Sequence, residues 1–498
     1  MADAVRAVGA GDYSARSLAA AFARGEVCAV DLVRDAFARI SAVDGTLHAF
    51  CALDEAGAMA QAQALDARRA AGEQLGALAG VPVAVKDLIA TRGLRTTFGS
   101  PLYADLVPEE DDIAVERLKA AGAIIVGKTN TSEFGYGAVG HNALFETTRN
   151  PWNPALTPGG SSAGTAAAVA ARMVPLGLGS DGGGSIRIPA ALCGLVGMKA
   201  SWGRVPLYPG CRDARFPGAS GWESLEHIGP LAASAADIAC ALGVLAGPDP
   251  RDRHSLPADA NAFVIAAPET LRHARTVFSR TLGFAFVDRE VGDIAALAAR
   301  RFAAALGLDF AEADPPVEDP QPCFEALVAL DTDRAGLRRL AAAARHRFSG
   351  PLALLLARPW TADEFTEAVL GRKRIVNAMA RFMASCEFLL TPSTATAAFP
   401  TGIDGPETIG GKAVGPAQWT PFTALANLTG QPAATVPAGF TADGRPVGLQ
   451  IVGRHLADAR VLTACAAFES VLPWAHRLPL TSADGGAVSA LGNRRKSA

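Results

Sequence analysis

Apolar positions recur every three and four residues through SLAAAFARGEVCAVDLVRDAFARI and again through the Ala-rich AQAQALDARRAA, a spacing that predicts helices over residues 14–70. From residue 81 the period changes. Short β-branched runs, VPVAV at 81–85 and AIIVG at 123–127, alternate with helical stretches such as AVERLKAAG, which predicts a sheet, much of it parallel, covered by helices. Helical spacing returns over 285–385 in AALAARRFAAALG and RAGLRRLAAAARHRF and predicts a helical lobe. Beyond it, FLLTPS, QPAATVPAGF and PVGLQIVG read as strands, with a helix from about 457 to 471. The pattern therefore predicts one α/β domain over 1–498: a central mixed β-sheet covered by helices on both sides, an N-terminal helical layer (1–70), a core over 81–245 and a variable helical lobe at 285–385.

Gly and Pro cluster between 149 and 210, yet AGTAAAVAARMV consists of strong helix formers and VPLGLG is a buried-strand run, so the glycines lie at junctions between elements rather than in a linker. Composition adds little beyond class. Of 498 residues, 50% are hydrophobic and 19% charged, as in a soluble globular protein. A net charge of -3 without a basic stripe excludes nucleic acid as a primary partner. The cluster Arg494, Arg495 and Lys496 reads as a solvated tail. No positively charged segment followed by an apolar stretch opens the chain, and no uncharged apolar run is long enough to span a bilayer; the expected location is cytoplasmic, away from membranes. Eight cysteines are scattered without a CxxC pair or nearby zinc-ligand spacing, so they read as buried thiols in a reducing compartment, with no metal site expected.

Three segments carry candidate chemistry. Lys86 follows VPVAV directly and would emerge at the carboxyl end of a buried strand, where α/β sheets place ligands. Desolvation there favours the uncharged amine, the only form that acts as a base; a solvated Lys86–Asp87 pair is the competing reading. In GGSSAGT (159–165), Ser162 reads as a helix cap, which leaves Ser161 as the serine of interest. In SDGGGSIRIP (180–189), three glycines precede Ser185, an arrangement suited to backbone N–H donors converging on a developing oxyanion. The same loop fits neither GxxxxGK[ST] nor GxGxxG with a downstream acid, and Ser185 is not in a GxSxG elbow. None of the eight histidines sits in a motif, and Glu109–Asp112 reads as a helix N-terminus rather than an acid/base pair.

Lys86, the GGSS block and the GGGSIRIP block together resemble the amidase signature family, with spacings of 75 residues from Lys86 to Ser161 and 24 from Ser161 to Ser185. Similar blocks continue through GKTNTSEFG, CGLVGMKASWGRV, HIGPLAASAADIA and NLTGQPAATVPAGF, leaving about 250–385 without recognisable counterpart. The resemblance implies that Ser185 is the nucleophile, Ser161 a relay hydroxyl beside a cis peptide, Lys86 the general base, and the N–H groups of Gly182, Gly183 and Gly184 the oxyanion hole, with Arg187 and Asp181 bracing the loop. It implies hydrolysis of a C–N bond in a small amide, anilide or carbamate through an acyl-enzyme, without cofactor, and by analogy a homodimer. Position 182 is Gly where many members carry Thr, and 163 and 165 are Ala and Thr where Gly and Ser are common. The glutaminase-like subunits of tRNA-dependent amidotransferases usually have an Asn–Asp pair where this chain has Trp419 and Thr420. Tyr136, Trp419 and Phe422 are therefore the candidate residues of a bulkier, less polar substrate pocket. The alternatives are a subunit of such an amidotransferase or a catalytically silent scaffold on the same fold; a nucleotide-binding protein is disfavoured by the glycine spacing.

Overall fold

Strand β2 (Pro82–Lys86) is buried at every position, because a strand covered on both faces has no polar side to alternate with. In the computed structural model, which describes residues 13–210, 213–219, 221–348, 350–474 and 477–479, β2 runs parallel between β3 (Ile124–Thr129) and β4 (Leu176–Ser180). Lys86 therefore ends a strand at the same edge where β4 ends in Ser180. Strand β1 (Phe50–Leu53) pairs antiparallel with β3 and forms one edge. On the other side of β4 the sheet continues through β6 (Ile228–Ala232), β5 (Val196–Lys199), β12 (Ala433–Phe440), β13 (Pro446–Gly453), β9 (Phe388–Pro392), β7 (Arg275–Phe278) and β8 (Asp309–Glu312). These make one mixed sheet of 11 strands, while β10 (Thr408–Ile409) and β11 (Lys412–Ala413) form a separate hairpin pair.

Helices cover this sheet as the periodicity predicts. The helix Ala163–Ala170 is buried at all of its positions and packs on β2, β3, β4 and β6; its alanines let its backbone approach the sheet closely. Ala235–Leu245, Asp458–Val471 and Arg289–Leu306 pack on the strands from β5 to β13. Two expectations need correction. The N-terminal layer is not helical throughout, since FCAL at 50–53 is a strand that continues the sheet. The region 285–385 is not one helical lobe: Arg289–Leu306 packs on the sheet, β8 extends it, and only the helices from Gln321–Asp331 to Ala362–Ser385 form a separate layer, much of it packed over the aromatic cluster of Phe98, Phe134 and Tyr136. Short amphipathic segments near a strand edge do not announce which layer they join. The cluster Arg494–Lys496 and Cys211 lie outside the described residues; the other seven cysteines are free thiols, of which Cys193, Cys386 and Cys465 are buried.

The turn after β4 is tied to distant parts of the sheet through one buried ion pair. Arg187, first residue of the helix Arg187–Cys193, donates from Nε and Nη2 to the two Asp181 oxygens at 2.9 and 2.8 Å, and neither side chain is solvent exposed. Its remaining hydrogens go to Thr423 O (2.9 Å), Gln450 Oε1 (2.7 Å) and Asn427 Oδ1 (2.6 Å). Asp181 also accepts from the N–H groups of Gly184 and Ile186 and from Asn427 Nδ2. Burial opposes the charge on Asp181, but the guanidinium and these donors hold its carboxyl well below the usual carboxylate range.

Removing one partner of such a pair strands the other charge. Arg187→Met is expected to destabilise the fold by roughly 3–5 kcal/mol in urea denaturation near neutral pH; a loss under about 1 kcal/mol would show that the pair does not hold the turn. The depressed Asp181 sets the pH sense: its contribution is complete above its unfolded value of about 4 and is lost as pH falls from there toward the lower folded value.

Candidate active site

Lys86 is fully buried, and its Nζ lies 2.7 Å from Ser161 Oγ, 2.9 Å from Ser180 Oγ and 3.3 Å from Ser180 O. It is not a solvated partner of Asp87; that carboxylate is buried too and accepts from the Thr97 N–H and hydroxyl. Burial lowers the Lys86 ammonium to about 8, against the opposing pull of Glu226 and Asp181. About a tenth of the amine is then uncharged at pH 7, far more than at an ordinary lysine, and that form can accept a proton from the hydroxyl beside it.

Ser161 follows a cis peptide bond with Gly160. The capping expectation for Ser162 is corrected: it stands at the start of Ala163–Ala170 but makes no side-chain cap bond, and its hydroxyl instead donates to Ser180 O at 3.2 Å. This bond ties the serine turn to the end of β4. Thr165, at a position where Ser is common in the family it resembles, places its hydroxyl 2.7 Å from that of Thr129 at the end of β3.

Ser185 is half-buried and opens to a cavity of about 580 Å³, into which Ser161, Ser180, Gly182 and Gly183 also face. Lys86 does not reach this cavity; Ser161 stands at the wall and contacts it from within. The Gly184 N–H is turned inward and donates to Asp181 Oδ1 at 2.7 Å, which removes it from the expected oxyanion donors. Among the described residues, the N–H groups of Gly182, Gly183 and Ser185 make no hydrogen bond. Ser185 itself thus replaces Gly184 in the set of free donors. Thr423 Oγ1 donates to Gly183 O at 2.6 Å and fixes the far side of the loop.

The cavity wall is mainly apolar. Tyr136 and Trp419 line it as expected; Tyr136 Oη bonds Thr332 of the overlying layer, and Trp419 Nε1 donates to Asp404 O at 3.0 Å. Phe422 does not: it is buried with Ile188, Leu192 and Leu425 in the same cluster as Trp419, but of the two only Trp419 also reaches the cavity. Phe324, Val328, Leu354, Leu355 and Trp360 complete the wall from the layer over the cleft. Among the described residues no histidine lines the cavity. His227 is buried, with Nδ1 2.7 Å from Leu225 O and Nε2 3.3 Å from Lys199, and His141 pairs with Asp404. Among the described residues no group of His, Cys, Asp and Glu side chains is placed to hold a metal ion.

Two residues of the site, Ser180 and Glu226, escape sequence reasoning. In the sequence pattern Ser180 is only the first residue of the glycine loop, although its place at the end of a strand parallel to Lys86's strand puts the two side by side. Glu226 lines the cavity, and burial raises its carboxyl to about 7 against the pull of Lys86. It precedes the HIGP block and has no local signal; the pairing of β4 with β6 brings it to the site.

The chain matches the Amidase family model over residues 31–462. It is 35% identical to an acylamidase of Rhodococcus erythropolis, over 94% of this chain and 97% of that one. It is also 37% identical to a glutamyl-tRNA(Gln) amidotransferase subunit of Salinispora tropica, over 92% and 97%. Its structure is similar to that of a bacterial aryl acylamidase of the amidase signature enzymes, with a TM-score of 0.85 at 28% identity and coverage of 94% and 98%. A 6-aminohexanoate cyclic dimer hydrolase aligns with a TM-score of 0.80 at 27% identity, over 94% and 98%. With the family match spanning the lysine, both serine turns and the glycine loop, the chain belongs to the amidase signature family.

Proposed function

We propose that this protein is a stand-alone hydrolase of amides or anilides carrying a bulky apolar or aryl group, with carbamates as a further class of the same chemistry, working through Ser185, Ser161 and Lys86. The observation that carries the reading is the 2.7 Å contact between the desolvated Lys86 amine and Ser161 Oγ at the wall of an apolar cavity that Ser185 also faces. Neutral Lys86 takes a proton from Ser161 as Ser161 takes one from Ser185, and Ser185 Oγ attacks the carbonyl. The N–H groups of Gly182, Gly183 and Ser185 receive the oxyanion. Collapse expels the amine with the relayed proton, and water releases the acyl group by the same relay. Because the hydroxyls of Ser161 and Ser180 stand between the lysine and the cavity, the base acts on substrate through a serine, and Ser161 at 2.7 Å is the nearer of the two.

A second reading, an ammonia-supplying component of an amidotransferase, has support in the similarity to such proteins. Against it, the wall offers Trp419 and Thr420 where those proteins usually place an Asn–Asp pair to grip glutamine.

Purified protein should hydrolyse aryl amides in preference to glutamine, and Ser185→Ala and Lys86→Ala should each lower kcat by at least about a thousandfold in the same assay. Full activity in Ser185→Ala would sink the relay, and glutaminase activity that rises on adding an amidotransferase partner would favour the second reading. The kcat/KM of wild type should fall by about tenfold per pH unit on the acid side of the Lys86 value of about 8, since the protonated amine accepts nothing. A pH-independent rate between about pH 6 and pH 9 would remove Lys86 as the base.

A further inference from the structure

Two aromatic rings that line the cavity stand directly on the glycines of the catalytic loop. A Cβ at 183 would lie 2.5 Å from Phe324 Cζ and 3.1 and 3.4 Å from its two Cε atoms, so that ring meets Gly183 tip first. A Cβ at 182 would lie 2.7 Å from Trp222 Cε3 and 3.3 Å from Cδ2, so the benzene half of the indole rests on Gly182. Neither volume holds a side chain and a ring together, because packed interiors do not tolerate overlap. The lack of side chains at 182 and 183 is what lets both rings come down onto the loop.

The rings reach it from different parts of the chain. Phe324 lies in the first turn of the helix Gln321–Asp331, in the layer over the cleft, and Trp222 lies in the segment before β6. Their centroids are 5.9 Å apart, and Trp222 also packs edge-on with Tyr136 at 4.8 Å. The Trp222 carbonyl accepts from the N–H groups of Leu225 (2.7 Å) and Glu226 (2.8 Å), which fixes the turn that carries the ring. That turn has a φ of 68° at Trp222, a left-handed conformation that bulky residues rarely adopt. An indole is thus kept where glycine would be the easier residue, a departure of the kind that collects at functional sites.

We propose that Trp222 and Phe324 are specificity-determining residues: they roof the oxyanion glycines, so that the acyl part of the substrate must be flat, or unbranched beside its carbonyl. The proposal rests on the reading of Ser185 and this loop given above and names the acyl class. With the carbonyl oxygen on the N–H groups of the loop, and the leaving nitrogen toward Ser161 to take the relayed proton, the acyl arm is the substituent left beside the two rings. An acetyl or arenecarbonyl arm lies close to the carbonyl plane and passes under them. A tert-alkyl arm projects methyl groups on both sides of that plane and meets them, and a misfit of this size against a packed wall costs about one to two orders of magnitude in kcat/KM. The wall from Leu354, Leu355 and Trp360 is then available to the amine side.

The test is kcat/KM for the p-nitroanilides of acetic, benzoic and pivalic acids in full-length wild type, Phe324→Ala, Trp222→Gly and Leu354→Ala, with Ser185→Ala as the blank. Comparing ratios between proteins cancels the intrinsic reactivity of each anilide. Phe324→Ala and Trp222→Gly should each raise the pivaloyl-to-acetyl ratio by about tenfold over wild type. Glycine adopts a φ of 68° freely, so Trp222→Gly removes the ring without straining the backbone, and it carries the test if Phe324→Ala does not fold. Leu354 lines the cavity from the same layer, is 66% exposed and does not stand on either glycine, so Leu354→Ala should keep the wild-type ratio. An unchanged ratio in both roof variants overturns the proposal while the relay stands. A rise in Leu354→Ala equal to theirs also overturns it, because a loosened layer then accounts for the effect. If wild type cleaves none of the three anilides, the substrate class proposed above falls, and the rates of Ser185 labelling by ethanesulfonyl fluoride and 2-methylpropane-2-sulfonyl fluoride decide. The same tenfold rise in the branched-to-linear ratio then upholds the roof, an unchanged ratio overturns it, and a Ser185 that takes neither reagent removes the relay and the proposal together.

Discussion

A carboxylate and a guanidinium with no water around either persist only where every donor and acceptor is met, and Asp181 with Arg187 meets that condition. The pair joins the end of β4 to the helix that follows the glycine loop. Through Thr423, Asn427 and Gln450 it also reaches two segments more than two hundred residues away. The same carboxylate draws in the Gly184 and Ile186 N–H groups, while the neighbouring Gly182, Gly183 and Ser185 line the cavity with N–H groups that no protein acceptor takes up. The turn that carries those donors is braced by the buried ion pair at both of its ends.

Burial does a second task at Lys86. Placing an amine at the end of a strand covered on both faces strips its hydration and makes the neutral form accessible, while the serine hydroxyls of 161 and 180 satisfy its hydrogens. The arrangement keeps two conditions that conflict in an open site: the amine stays dry, and the hydroxyl of Ser185 stays reachable. Ser161 and Ser180 touch both the lysine and the cavity.

Local sequence is sufficient where chemistry and backbone coincide. VPVAVK announces a buried strand ending in a lysine, and GGSS and GGGS announce turns whose glycines leave the backbone open; Lys86 and Ser161 are within hydrogen-bond distance and Ser185 faces the same cavity. Sequence is insufficient wherever a partner arrives by sheet pairing or through a distant layer. Glu226 depends on the β4–β6 register, Gly184 on which way one N–H points, and Phe422 on which of two rings in one buried cluster also reaches the cavity. The strands at 50–53 and 309–312 escape the periodicity because four residues at a sheet edge carry too short an alternation to outweigh the helices beside them.

Much of the apolar wall comes from one stretch of chain, the helices between Gln321 and Trp360, whereas Lys86, Ser161 and Ser185 belong to the central strands and their turns. These two sets meet at contacts such as Phe324 over Gly183. Substitutions in that stretch can therefore reshape what the cavity admits while the strands and turns that carry the lysine and the serines stay as they are: the wall and the polar centre are separately adjustable parts of one cavity.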